Sequence, residues 1–214
     1  MNEQMIYTIV VVAAMALAAA LVVYFTTRSN SGGEKVAKGG VGADEKNGAS
    51  DVVARVRRYA RLNDFQVVVP ARWAKDGKLA EFDCVLVGYF GVLGIRCMGY
   101  SGRIFGGEKE AAWVQTKGDK RYEFENPLDR NARDARILRE VLIGGGLRNT
   151  PVETVLVCTG GKNQELALPR STPFYTPKTL GRYLNTSHFD QDKKVDVEKT
   201  AELLRQAVVQ VEQR

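Results

Sequence analysis

Two strand-like runs hold the residues whose types invite chemistry. "FDCVLVG" at residues 82–88 brings Asp83, and "GVLGIRCM" at 91–98 closes on Arg96 and Met98. Side chains alternate along a strand, so Glu81, Asp83, Val85 and Val87 are predicted on one face. By the same rule Arg96 and Met98 share a face, with Cys97 opposite. Tyr89 and Phe90 separate the two runs, which predicts a hairpin and sets Asp83 near Arg96. By itself this spacing supports a buried or half-buried Asp–Arg pair, in which loss of one partner strands a costly charge. Arginine rows offer a second chemistry. Arg55, Arg57, Arg58 and Arg61 recur in "DVVARVRRYARL" at 51–62, and Arg130, Arg133 and Arg136 in "NPLDRNARDARILREVLI" at 126–143. Such rows suit phosphate contacts, which give affinity without sequence information. They equally suit a solvated helix face.

Other catalytic constellations find little support. His188 is the sole histidine and lies in the polar stretch "NTSHFDQDKK", which argues against a Ser–His or Cys–His system. Cys84, Cys97 and Cys158 lack the paired spacing of a zinc site. Odd in number and set in apolar runs, they read as buried reduced thiols. Gly106-Gly107 and Gly160-Gly161-Lys162 are turn-like and match no phosphate loop. Gly144-Gly145-Gly146 follows a helix and ends it rather than cradling an anion at a helix start.

The elements that position these residues are legible in outline. Ser50 or Asp51 is predicted to cap the helix at 51–62, with Val52, Val56, Tyr59 and Ala60 as its apolar stripe. Strands are predicted at 65–70, 82–88 and 91–98, with shorter ones around Trp113 and Tyr122. Asn126-Pro127 starts the next helix and the glycine triplet ends it. Leu128, Ala135, Leu138 and Leu142 recur on one of its faces. A strongly apolar strand follows at 154–160, then helices near 177–185 and 196–212. This order predicts an α/β class fold, an α+β mixed sheet flanked by helices.

At 214 residues, a membrane segment plus one domain is the natural expectation. Residues 6–25, "IYTIVVVAAMALAAALVVYF", contain no charge. As a helix they span roughly 30 Å, a hydrocarbon core. A cleaved signal peptide would want a basic start and a shorter apolar core, so an uncleaved single-pass anchor is expected after a short tail at 1–5. Arg28, Lys35, Lys38 and Lys46 follow the span and no basic residue precedes it. The positive-inside rule then puts the C-terminal domain in the cytoplasm, at the cell membrane. Residues 26–50 are rich in Gly, Ser and charge and read as a flexible linker. The domain is expected at 51–190, with a C-terminal helix at 191–214 packed on it or extending it. Residues 1–50 hold equal numbers of acidic and basic residues, so the net charge of +6 belongs to 51–214. A modestly basic domain leans toward polyanions such as DNA or RNA, or anionic headgroups.

The order "AKDGKLAEFDCVLVGYFGVLGIRCMGYSGRIFG", a following Trp113 and "ENPLDRNARDARIL" resemble the nuclease-related domain family, NERD, over about residues 51–160. Asp83, Gly91-x-x-x-Ile95, Ser101-Gly102-x-Ile104 and Asn126-Pro127 carry the likeness. The family is similar to restriction-endonuclease-like, PD-(D/E)xK nucleases, which implies a mixed sheet flanked by helices and a divalent metal that activates water. The resemblance puts the first carboxylate on Asp83 and a Glu-x-Lys pair on positions 96 and 98, where this chain has Arg96 and Met98. A glutamine usual in the next helix corresponds to Arg130, and an acid of the first helix to Asp51, without the glycine before it. Arg96 replaces a metal ligand with a cation, and Met98 removes the motif's ammonium.

Three readings follow. The leading one is a membrane-anchored, catalytically degenerate member that binds nucleic acid or a partner at the cytoplasmic membrane face and needs no cofactor. In it Arg96 pairs with Asp83 in the vestigial site, and Arg55, Arg58, Arg130, Arg133 and Arg136 contact phosphate. The second is an active Mg²⁺-dependent endonuclease with Asp83 as metal ligand and migrated partners, Glu81 or Glu108 with Lys109. The third is a protein-interaction module at the membrane whose patch includes Trp73, Tyr89 and Phe90.

Overall fold

The computed structural model describes residues 37–38 and 45–209. The expected tail at 1–5, the membrane helix at 6–25, most of the linker and residues 210–214 lie outside the described residues. Among the described residues no helix is long and apolar enough to cross a membrane.

The chain forms β1 (Ala37–Lys38), α1 (Ala49–Leu62), β2 (Gln66–Val68), β3 (Ala71–Lys75), β4 (Lys78–Phe82), β5 (Cys84–Gly88) and β6 (Gly91–Met98). Then come β7 (Gly102–Phe105), β8 (Ala112–Lys117), β9 (Lys120–Glu125), α2 (Pro127–Gly144), β10 (Val152–Cys158), β11 (Gln164–Ala167), α3 (Pro177–Leu184) and α4 (Val197–Gln206). One sheet runs β10-β6-β5-β2, a second β1-β9-β8-β7-β11, and β3-β4 form a separate hairpin. Both larger sheets mix parallel and antiparallel pairs, and helices flank them, so the fold is of the mixed α and β kind that the element order predicts.

The hairpin predicted across Tyr89-Phe90 is present: Cys84 lies opposite Ile95 and Gly88 opposite Gly91. On its other edge β6 pairs in parallel with β10. Every residue of β6 is buried, because the strand is central and both its faces are covered. Leu93, Ile95 and Cys97 pack with Val52 and Val56 of α1 and Leu180 and Leu184 of α3. Val92, from the opposite face, packs with Leu138 and Leu142 of α2 and Ala201 and Leu204 of α4. The two helix pairs therefore cover opposite faces of this sheet.

Four expectations are corrected. Gly48, not Ser50 or Asp51, caps α1; at φ 74° it holds a left-handed conformation that glycine tolerates. Residues 45–49 belong to the domain rather than to the linker. Gly99 N–H donates to the Glu45 carbonyl at 2.8 Å, the Thr159 hydroxyl to that of Asn47 at 2.5 Å, and Ala49 is buried. The final helix stops at Gln206, with Ala207 as its C-cap. The interaction patch dissolves: Trp73 is fully buried with its indole N–H on the Leu204 carbonyl, Phe90 is buried, and Tyr89 stands out at 45% exposure.

The strict alternation from Glu81 to Val87 also fails. A bend at Asp83 separates β4 from β5, so Phe82 and Val85 both enter the core under α2 and α4. Phe82 packs flat over Gly94, where a Cβ would come within 2.9 Å of the ring.

Candidate functional site

Asp83 sits at that bend with its side chain 6% exposed. Its backbone N–H donates to the Ile95 carbonyl at 2.9 Å, keeping the chain against β6. Its Oδ2 accepts from Cys97 N–H at 2.6 Å. Its Oδ1 accepts from the Lys46 ammonium at 3.0 Å. The same ammonium lies 3.6 Å from Glu81 Oε1, so two carboxylates converge on one lysine. Arg72, across the β3-β4 hairpin, donates to Glu81 Oε1 at 2.9 Å, and Arg130 of α2 lies 3.8 Å from Glu81 Oε2. Arg130 also reaches Glu45 at 3.4 Å. Burial alone would raise the Glu81 carboxyl. The Arg72 hydrogen bond and the charges of Lys46, Arg72 and Arg130 outweigh it and hold the group below its ordinary value.

Arg96 does not pair with Asp83, contrary to expectation. Its guanidinium turns to α2, where Nε donates to Asn131 Oδ1 at 2.6 Å and Nη2 to Asp134 Oδ2 at 2.5 Å. Nη2 also meets the Glu81 carbonyl at 2.6 Å, and the Phe82 ring lies 5.3 Å from the guanidinium. The reason is geometric: Asp83 is already filled by Cys97 N–H and Lys46, while α2 carries a buried acid and amide one turn apart. Burial and the Arg130 charge lower the Arg96 pKa; Asp134 and Asp83 oppose them. Met98 lies two residues on, in the core with Trp113 and Leu156. A cleft of about 290 Å³ opens beside these two residues, lined by Tyr100, Phe124, Glu45 and Glu123 among others.

A divalent metal of the nuclease kind fits these residues poorly. Mg²⁺ asks for an octahedron of hard oxygens. Here the two convergent carboxylates are matched by Lys46, Arg72 and Arg130, and one Asp83 oxygen is held by an amide. Among the described residues no three of His, Cys, Asp and Glu gather as a metal site. Glu108 and Lys109 are exposed beyond β7, and the Glu108 carbonyl instead receives the Asn126 amide at 3.2 Å. Asp51 is exposed on the first turn of α1.

The five candidate phosphate-binding arginines do not form one surface. Arg55 and Arg58 are exposed on α1, whereas Arg130, Arg133 and Arg136 belong to α2 on the opposite sheet face. Arg133 is held by Glu125 through both of its terminal nitrogens, and Arg136 is exposed. All three cysteines are free and buried. Burial pushes Cys84 and Cys158 up to about 12 and raises Cys97 as well. His188 contacts Glu153 at 2.9 Å, away from Asp83's partners.

Sequence reasoning missed Lys46, Asn131 and Asp134. Lys46 sits inside what reads as a linker, with no local signal of its role. Asn131 was findable: it falls between Leu128 and Ala135 on the apolar stripe, where a polar residue needs a buried partner.

The family model described as NERD, nuclease-related domain, matches residues 45–159, just over half of the chain. No curated protein and no solved structure matches.

Proposed function

The chain belongs to the nuclease-related domain family, and from that premise we propose a member that binds nucleic acid without cutting it, anchored at the cytoplasmic membrane face by residues 6–25. The observation that carries this reading is Arg96. At the strand position where the family's second carboxylate is implied, it is sealed to Asp134 and Asn131, and Met98 supplies no ammonium beside it. Phosphodiester cleavage by this family's chemistry needs a metal ligand at that place, whereas a buried guanidinium is a cation that repels the metal ion.

The binding face favoured by the charge distribution is that of α1 and α3. Arg55, Arg57, Arg58 and Arg61 on α1 and Lys178 and Arg182 on α3 are exposed, against a single acidic residue, Asp51, on the two helices. Tyr59 of α1 donates to the Leu184 carbonyl at 2.6 Å, which holds the helices together. Arg130 and Arg133 already neutralise carboxylates and contribute less. Native-gel retardation of a DNA duplex by the full chain in detergent tests the proposal: retardation at low salt that fades as salt rises supports it. Its absence at micromolar protein overturns it. Twenty uncharged residues at 6–25 support the anchor, and release of the chain by alkaline carbonate would contradict that half.

One observation favours the endonuclease reading: Glu81 and Asp83 do converge on a common point. That reading requires Lys46 to vacate it. The protein-interaction reading retains Tyr89 alone of its three residues.

A further inference from the structure

Resting on the reading that the site does not cut, we propose that Lys46 is the site's built-in counter-ion: its ammonium occupies the point on which Asp83 and Glu81 converge, and so shuts a divalent cation out. The two carboxylates and the ammonium form a closed set, with Nζ 3.0 Å from Asp83 Oδ1 and 3.6 Å from Glu81 Oε1. Asp83 Oδ2 is already engaged by Cys97 N–H. An ion bridging the two acids through Asp83 Oδ1 and Glu81 Oε1 has to take the place that Lys46 now holds.

Lys46 is not a loose surface lysine that happens to lie nearby. The residues on either side are tied to the sheet: Glu45 through Gly99 N–H, Asn47 through the Thr159 hydroxyl, and the Glu45 carboxylate through Arg130. The Lys46 carbonyl also accepts from Ala49 N–H at 3.1 Å, which starts the turn into α1. Its side chain is half exposed, so the ammonium lies at the mouth of the site and is removable without opening a core cavity. A lysine brings one charge already balanced by Asp83. A divalent ion would bring two into a cluster that also holds Arg72 and Arg130, and would have to shed water to enter. Removing the Lys46 charge leaves Asp83 Oδ1 free and Glu81 with a single tight partner, Arg72.

Titration of the full chain in detergent with Mn²⁺, followed by the loss of the free-ion paramagnetic resonance signal, tests this assignment. Lys46→Met is expected to bind Mn²⁺ at this site at least about tenfold more tightly than wild type. Adding Asp83→Asn to Lys46→Met abolishes the gain. Lys46→Gln keeps a hydrogen-bond donor for Asp83, should the methionine variant fold poorly, and is expected to show the same gain. Wild type binding as tightly as the variants, or neither variant gaining affinity, overturns the proposal. Cleavage of DNA by wild type with Mn²⁺ would instead overturn the non-cutting reading beneath it, so the two failures are distinguishable.

Discussion

A guanidinium survives in the interior at residue 96 because three acceptors and an aromatic face meet it there. The Arg96 and Asp134 side chains are 4% and 2% exposed, so neither has water to fall back on. Removing one partner strands the other, and Arg96→Ala or Asp134→Ala is predicted to cost about 3–5 kcal/mol. Arg133→Ala, at an ion pair roughly half exposed on each side, is predicted to cost less than about 1 kcal/mol. Urea midpoints of the three variants check the ranking, and an Arg96→Ala loss no larger than that of Arg133→Ala would contradict it. Glu81 supplies a pH signature. Its folded pKa lies below the ordinary value of 4.5, so the folded protein binds fewer protons there than the unfolded chain. That stabilisation is complete above pH 4.5 and is lost as pH falls through the lower folded value. Glu81→Gln is therefore predicted to be less stable than wild type near neutrality and to converge with it in acid. A gap that widens as pH falls would count against the assignment.

Among the elements, α2 does most to define the site, and it shows what sequence can and cannot reveal. Its bounds were legible: Asn126-Pro127 starts it and the glycine triplet stops it, because capping is local chemistry. The Asn126 side chain does more than cap. It accepts from Leu128 N–H and donates to the carbonyls of Gly107, Glu108 and Glu110. Asn126→Ala is accordingly predicted to cost about 2 kcal/mol or more, read by thermal unfolding; a loss within a few tenths would refute this role. The buried face of α2 was only half legible. Leu138 and Leu142 follow from periodicity, but Asn131 and Asp134 are buried only because Arg96 faces them from a strand 35 and 38 residues away. The bend at Asp83 was hidden for the same reason, since it depends on Cys97 N–H across the sheet. On the α1–α3 face, Arg55→Glu with Arg58→Glu is predicted to weaken DNA retardation and to lower the salt slope by about 2. Arg133→Glu is predicted to leave that slope nearly unchanged, and equal effects of the two would place the interface elsewhere.

For the whole molecule, the family resemblance was legible because its marks lie on glycines, Asn-Pro and the central hairpin, which the fold retains. The mixed sheets flanked by helices follow from the order of the elements. The β3-β4 hairpin was missed because its apolar alternation, Ala71 and Trp73 around Arg72 and Ala80 and Phe82 around Glu81, covers only three residues of each strand before exposed, lysine-bearing ends. What the sequence concealed was the destination of Arg96. Position 96 keeps its place on the strand facing α2, but its charge is answered by α2 and not by Asp83, while Asp83 is answered by Lys46. Under the proposed reading, the positions of the implied metal site are filled by two separate ion pairs, Arg96 with Asp134 and Lys46 with Asp83, not one. The most direct test of that account is incubation of supercoiled plasmid with the full chain in detergent and Mg²⁺ or Mn²⁺, at a salt concentration where the DNA is retarded. The account predicts bound but intact plasmid; nicking or linearisation that disappears in Asp83→Ala would contradict it.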